Sequence, residues 1–186
     1  MPRYLTLLLV GCCAVSFADD ASNKALQTQA EVLAQQFISE LKPQLKQAIN
    51  TGGPAAAVEA CASAAPRIAD TLSATSGWQV KRVSLKSRNA SRAQPDDWER
   101  SVLLDFNLPQ AAGEDAAALT HAGMDGKRYR YMQAQGVEPL CLICHGKGLS
   151  EPVLSVLSDY YPDDLATDYS VGQVRGAISL SKNVQQ

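Results

Sequence analysis

Residues 118–133, Ala-Leu-Thr-His-Ala-Gly-Met-Asp-Gly-Lys-Arg-Tyr-Arg-Tyr-Met-Gln, decide the fold class. Ala118–Met124 and Lys127–Gln133 read as two strands, and Asp125-Gly126 between them is a favoured two-residue hairpin turn. Tyr129 and Tyr131, two positions apart, fall on one face of the second strand. A hairpin in the middle of the chain rules against an all-helical bundle. Moving outward, Trp78–Leu85 reads as a strand. Asp96 or Asp97 caps a short helix carrying Trp98, Val102, Leu103 and Phe106. Pro109 and Gly113 mark a loop. Past the hairpin, Pro152–Tyr160 reads as a short helix and Val174–Leu180 as a closing strand.

The first third is helical. Leu26, Ala30, Leu33, Phe37, Leu41, Leu45 and Ala48 recur at steps of three and four and form the apolar stripe of a helix over about 21–50. Pro43 inside it predicts a kink or a break. Gly52 and Gly53 stop this helix, and Pro54 suits the first position of the next. The second helix runs over about 54–72, with Val58, Cys61, Ala65, Ile68 and Leu72 on one face. Pro66 predicts another kink. Alanines dominate it, so a bulky group could approach closely. Helix, helix, strands, short helix, strand is an α+β order.

The chain has 186 residues, enough for one domain with a real core. A formal net charge of −2 leaves no basic footprint for nucleic acid. No stretch after the N-terminus is apolar for long enough to cross a bilayer, so an integral membrane protein is not expected. Residues 1–18 read as a signal peptide: Arg3 as the positive region, Tyr4–Phe17 as the apolar run, and Ser16-Phe17-Ala18 as the cleavage site. The expected product is a single exported, periplasmic domain over 19–186. Leu9-Val10-Gly11-Cys12 resembles a lipoprotein box, which would instead anchor the chain through a lipid on Cys12. A buried N-terminal helix is the third reading of this segment.

Of five cysteines, Cys12 and Cys13 leave with the signal, and Cys61, Cys141 and Cys144 remain. An odd count in an exported chain leaves one thiol to explain. Cys141-Leu142-Ile143-Cys144-His145, in a loop ending at Gly146-Lys147-Gly148, is the c-type haem attachment pattern. Two thiols add across the two vinyl groups, and the next residue then falls under the iron, where a neutral imidazole is a good ligand. A zinc site would need about four ligands, and Cys61 and His121 are scattered. A thioredoxin-like pair normally opens a helix, which Gly146 and Gly148 disfavour. A plain disulfide between Cys141 and Cys144 also competes. One motif implies one covalently attached haem c.

The motif comes late, and no methionine follows His145, unlike the common small electron carriers. The candidates for the second axial position are Cys61, His121, Met124 and Met132. By spacing alone Cys61 is a small buried hydrophobe, His121 a surface strand residue, Met124 a turn neighbour and Met132 a core residue. Lys86 and Arg88 read as solvated loop charges that could meet haem propionates. Arg128 and Arg130, opposite Tyr129 and Tyr131, and Arg175 are further propionate candidates. Asp96, Asp97 and Glu99 are most simply helix N-terminal charges.

Several stretches together resemble the exported c-type haem proteins with a PAS-like haem domain, over about 45–180. They are Gly52-Gly53-Pro54, Val58-Glu59-Ala60-Cys61, Ala65-Pro66-Arg67-Ile68-Ala69, Gly77-Trp78 and Ser84-Leu85-Lys86-Ser87-Arg88-Asn89. Asp97-Trp98-Glu99, Cys141–Gly146, Tyr161-Pro162-Asp163 and Val174–Ser179 complete the set. The resemblance implies an antiparallel sheet backed by N-terminal helices, with a single haem in its concavity. It also implies His/Cys ligation, with His145 on one side of the iron and Cys61 of the second helix on the other. The sequence departs from that pattern at Pro43, at Ser87 and around 90–94.

Two functions compete on this reading. One is a redox- or gas-responsive sensor, in which a thiolate lowers the iron potential and can leave to admit CO or NO. The other is a periplasmic electron-transfer cytochrome serving a redox partner protein. No acid/base constellation points to an enzyme.

Overall fold

The computed structural model describes residues 14–184, with side chains from Asp20 onward. Most of the expected signal segment, including Cys12 and Cys13, lies outside the described residues. Among the described residues, no helix is long and apolar enough to cross a membrane.

Helix α1 spans Ala14–Ser76 and contains a single non-helical residue, Gly53, at φ 75° and ψ −172°. That backbone conformation is essentially restricted to glycine. It divides α1 into two arms that share one apolar cluster, with Phe37 on the first and Ile68 and Leu72 on the second. Arg67 Nη2 donates to Gln44 Oε1 at 2.9 Å between them. The arms therefore fold back as a helical hairpin. The chain stays helical through Pro43 and Pro66, so neither proline breaks it, and the interruption falls at Gly53, where Gly52 and Gly53 are expected to stop the first helix. Pro43 denies a hydrogen bond to the carbonyl of Ser39, and both residues are exposed, so water can take the missing donor's place.

Four strands follow: β1 (Gln79–Val83), β2 (Thr120–Asp125), β3 (Arg128–Gly136) and β4 (Val174–Asn183). They form one antiparallel sheet in the order β1-β4-β3-β2. The hairpin forms as expected, one residue out of place. Asp125 pairs with Arg128, so Gly126 and Lys127 make the turn. Between β1 and β2 lies α2 (Asp97–Ala111), capped by a reciprocal box in which Asp96 accepts from the Glu99 N–H. It runs through Pro109, which was expected in a loop. Ala118, expected to begin the first strand of the hairpin, instead ends a 3-10 turn over Ala116–Ala118, and the strand starts at Thr120. After β3 come α3 (Leu142–His145) and α4 (Glu151–Tyr160).

The period-2 alternation sends the two faces of the sheet to different partners. Trp78, Val80, Tyr129, Tyr131, Ile178 and Leu180 pack on α1. Trp78 and Tyr129 meet edge to face at 6.1 Å. Val83, Met132, Ala134 and Ala177 pack under Val102, Leu103 and Phe106 of α2. The architecture is α+β, as expected, with helices on both faces of the sheet rather than on one.

Candidate functional site

The end of β3 leads into the cysteine motif. Pro139 opens a 3-10 turn, Pro139–Cys141, that runs straight into α3. The motif was expected in a loop and is helical. The proline's fixed φ starts the turn, and Gly146 ends it. A Cβ at Gly146 would sit 2.6 Å from the Leu142 carbonyl oxygen, so a side chain there is excluded. Within this turn Cys141, Cys144 and His145 stand at i, i+3 and i+4, which places them on one helix face.

These three residues line one cavity together with Cys61 from the second arm of α1. The cavity lies between the α1 hairpin and the α1-facing side of the sheet. Leu41, Leu45, Ile49, Val58 and Leu140 give it apolar walls, and Tyr161 closes part of it. Arg82, Arg88, Arg92 and Arg175 give it a basic quarter. All three motif-region thiols, Cys61, Cys141 and Cys144, are free. Among the described residues, no three His, Cys, Asp or Glu side chains crowd closely enough to hold a bare metal ion.

His145 is oriented by its own loop. Nδ1 lies 2.7 Å from the Ala166 carbonyl oxygen, an acceptor, so Nδ1 carries the proton and Nε2 the lone pair. Burial and then the positive charge of Arg88 push its pKa down to about 3, which keeps the imidazole neutral. Burial raises the Cys61 thiol above its usual range, with Arg82 and Arg88 opposing. Burial raises Cys144 in the same way.

A strap formed by residues 164–169 holds the motif from outside. Arg88 joins the two: Nη2 donates to the Cys144 carbonyl at 2.5 Å and to the Ala166 carbonyl at 3.2 Å, and Nε donates to Asp164 at 3.1 Å. The Tyr169 N–H donates to the His145 carbonyl at 3.0 Å, and the Asp168 N–H to the Gly146 carbonyl at 3.2 Å. Arg88, read from sequence as a solvated loop charge, is therefore an internal clamp. Lys86 is similarly engaged, donating to the Thr167 carbonyl and lying over the Tyr169 ring.

The remaining candidates are elsewhere. His121 sits on the edge strand β2 against Trp98, with ring centroids 5.4 Å apart. Met124 is exposed, and Met132 is fully buried on the α2 side of the sheet. Arg128 pairs with Asp125, and Arg130 is sealed on the α2 side with Asp96, Asp125 and Glu99. Neither arginine reaches the cavity. Arg175 does line it. Sequence reading overlooked Arg82, although the alternation Trp78, Val80, Arg82 already places it on the face that packs under α1.

The crystal structure of the cyanobacterial heme-protein Tll0287 resembles this chain with a TM-score of 0.62 and 24% sequence identity. The match covers 86% of this chain and 97% of that one, and at this identity it shows a shared fold. No curated protein matches the chain. The family model for Tll0287-like proteins matches residues 19–182. A match over that span, nearly the whole chain, means that this protein belongs to the Tll0287-like family.

Proposed function

We propose that the chain is an exported monohaem c-type haem-binding protein, a redox- or gas-responsive sensor module built on a PAS-like haem domain. The observation that carries this reading is that Cys61, Cys141, Cys144 and His145, drawn from two separate parts of the chain, line one cavity. The similarity to a heme-protein of the same fold supports it.

The donor set fits haem c. Two free thiols and an imidazole share one helix face, Nε2 is left with its lone pair, and the facing wall is apolar. Cys141 and Cys144 would hold the vinyl groups as thioethers, His145 Nε2 would be the proximal ligand and Cys61 the distal one. Bound there, the haem supplies one-electron chemistry and a centre for small gases. The Ala166 carbonyl holds the His145 ring in one tautomer and one orientation. The leucines of α1 keep water from the buried face. A soft thiolate ligand can protonate or oxidise and leave, which would open its position to CO or NO.

An electron-transfer cytochrome is the second reading. Cys141 and Cys144 are both partly exposed, so a soluble redox partner could approach the edge they hold. Exposing the reduced protein to carbon monoxide separates the two. A sensor gives a carbon monoxide spectrum with loss of the distal ligand. Fast electron exchange without gas binding would favour the carrier. Cys61→Ser tests the ligand: haem stays attached, while the ferric optical and spin-resonance spectra shift and the potential rises. Unchanged ferric spectra would return Cys61 to a packing role.

Export and periplasmic location belong to the same proposal. Mass spectrometry of protein made with its own leader should find Asp19 at the N-terminus. A lipid on Cys12 would show a membrane-anchored form instead.

A further inference from the structure

We propose that Arg82 anchors a carboxylate of the ligand in this cavity, and so sets which way round the ligand lies. The inference rests on the haem reading above and names a residue that the cysteine motif does not.

Arg82 is the second inward position of β1, after Val80 and in line with Trp78 just before the strand, where the sheet otherwise presents apolar side chains to α1. It reaches the cavity instead. Its Nε donates to Gln135 Oε1 at 3.0 Å, a neutral partner that orients the guanidinium without balancing its charge. Four other cations around the cavity already have acidic partners, whereas Lys46 and Arg175, which also line it, make no ion pair among the described residues. Lys42 pairs with Glu138, Lys81 with Glu99, Arg88 with Asp164 and Arg92 with Asp70. Among the described residues, Arg82 makes no ion pair.

A guanidinium cannot shed its proton to escape burial, so a charge in this position calls for an anion. Burial is the largest influence on Arg82 and lowers its pKa, which marks how poorly the charge is solvated. The terminal Nη groups are not sealed off from the cavity without partners, since Arg130 Nε is the orphaned buried side-chain nitrogen among the described residues. They therefore remain available to a ligand. The planar fork matches a carboxylate in two-point geometry. The same cavity is lined by the apolar residues Leu41, Leu45 and Ile49. A cavity with apolar lining and an uncompensated guanidinium held in place by Gln135 suits a flat apolar body with acidic substituents. The two propionates of haem are of this class.

The test uses the full mature chain carrying Cys141→Ala and Cys144→Ala, so that binding is reversible, with and without Arg82→Gln. Each protein is titrated with ferric haem and with its dimethyl ester, and far-UV circular dichroism confirms the helices. With Arg82 present, the free diacid should bind about tenfold tighter than the ester, the order expected for a charge-assisted fork. Arg82→Gln should abolish that preference and leave ester binding unchanged. Equal loss for both ligands, or a preference that survives Arg82→Gln, overturns the inference while the haem reading stands. Failure of both ligands to bind a folded chain would overturn the haem reading and this inference with it. A second measurement avoids the thiol substitutions. In the covalently loaded protein, redox-difference infrared spectra should show the haem carboxylate bands shifted by Arg82→Gln. Bands that do not move would also refute the anchor.

Discussion

The guanidinium of Arg88 donates from Nη2 to the main-chain carbonyl of Cys144 at 2.5 Å, and in doing so ties the cysteine motif to the strap that orients His145. The same guanidinium is ion-paired with Asp164 at 3.0 Å, and the two side chains are only 11% and 9% exposed. One arginine thus fixes the turn that carries both thiols and the segment whose Ala166 carbonyl holds the imidazole.

Arg88→Leu should therefore act on stability and on the site together. It leaves Asp164 buried without its partner, and losing one side of such a pair costs about 3–5 kcal/mol. Chemical denaturation should show a lower midpoint with an unchanged slope. The optical spectrum of whatever haem remains should broaden as His145 loses its fixed orientation. A variant as stable as the parent would show that Asp164 is satisfied in another way.

Covalent attachment is tested directly. Changing both Cys141 and Cys144 to alanine should abolish haem staining on a denaturing gel, because no thioether could then form. Stain that survives denaturation would refute attachment at this motif.

Gly53→Ala should destabilise the helical hairpin. An alanine there would have to adopt φ 75°, ψ −172° although no atom crowds its Cβ, so the cost is one of backbone strain, about 1–3 kcal/mol. The loss should appear as a lower unfolding midpoint. Since Cys61 follows this turn on the second arm, the ferric spectrum of the loaded protein should change as well. Parent-like stability would mean that the arms can turn by another backbone route.

The periodicity of the first third exposed both arms of α1, and the alternation of Trp78 and Val80 and of Tyr129 and Tyr131 exposed the sheet, because burial pattern is written locally. The i, i+3, i+4 spacing of Cys141, Cys144 and His145 likewise carries its own chemistry. The effect of proline was less legible. Pro43 looked like a kink or a break because proline removes a hydrogen bond, yet its exposed setting lets water replace the lost donor, and the helix runs on to the stop expected at Gly52 and Gly53. What no local pattern contains is which distant side chains meet. Cys61 reaches the cavity of the motif because the hairpin of α1 folds over the sheet, while Met132, equally plausible by spacing, is sent to the opposite face by the pleat. Arg88 follows a strand and Arg130 lies within one, and only packing made the first the clamp of the motif and sealed the second beneath α2. Motif chemistry and element type follow from neighbours along the chain, whereas the ligand set and the partners of each charge follow from the crossing of elements far apart in sequence.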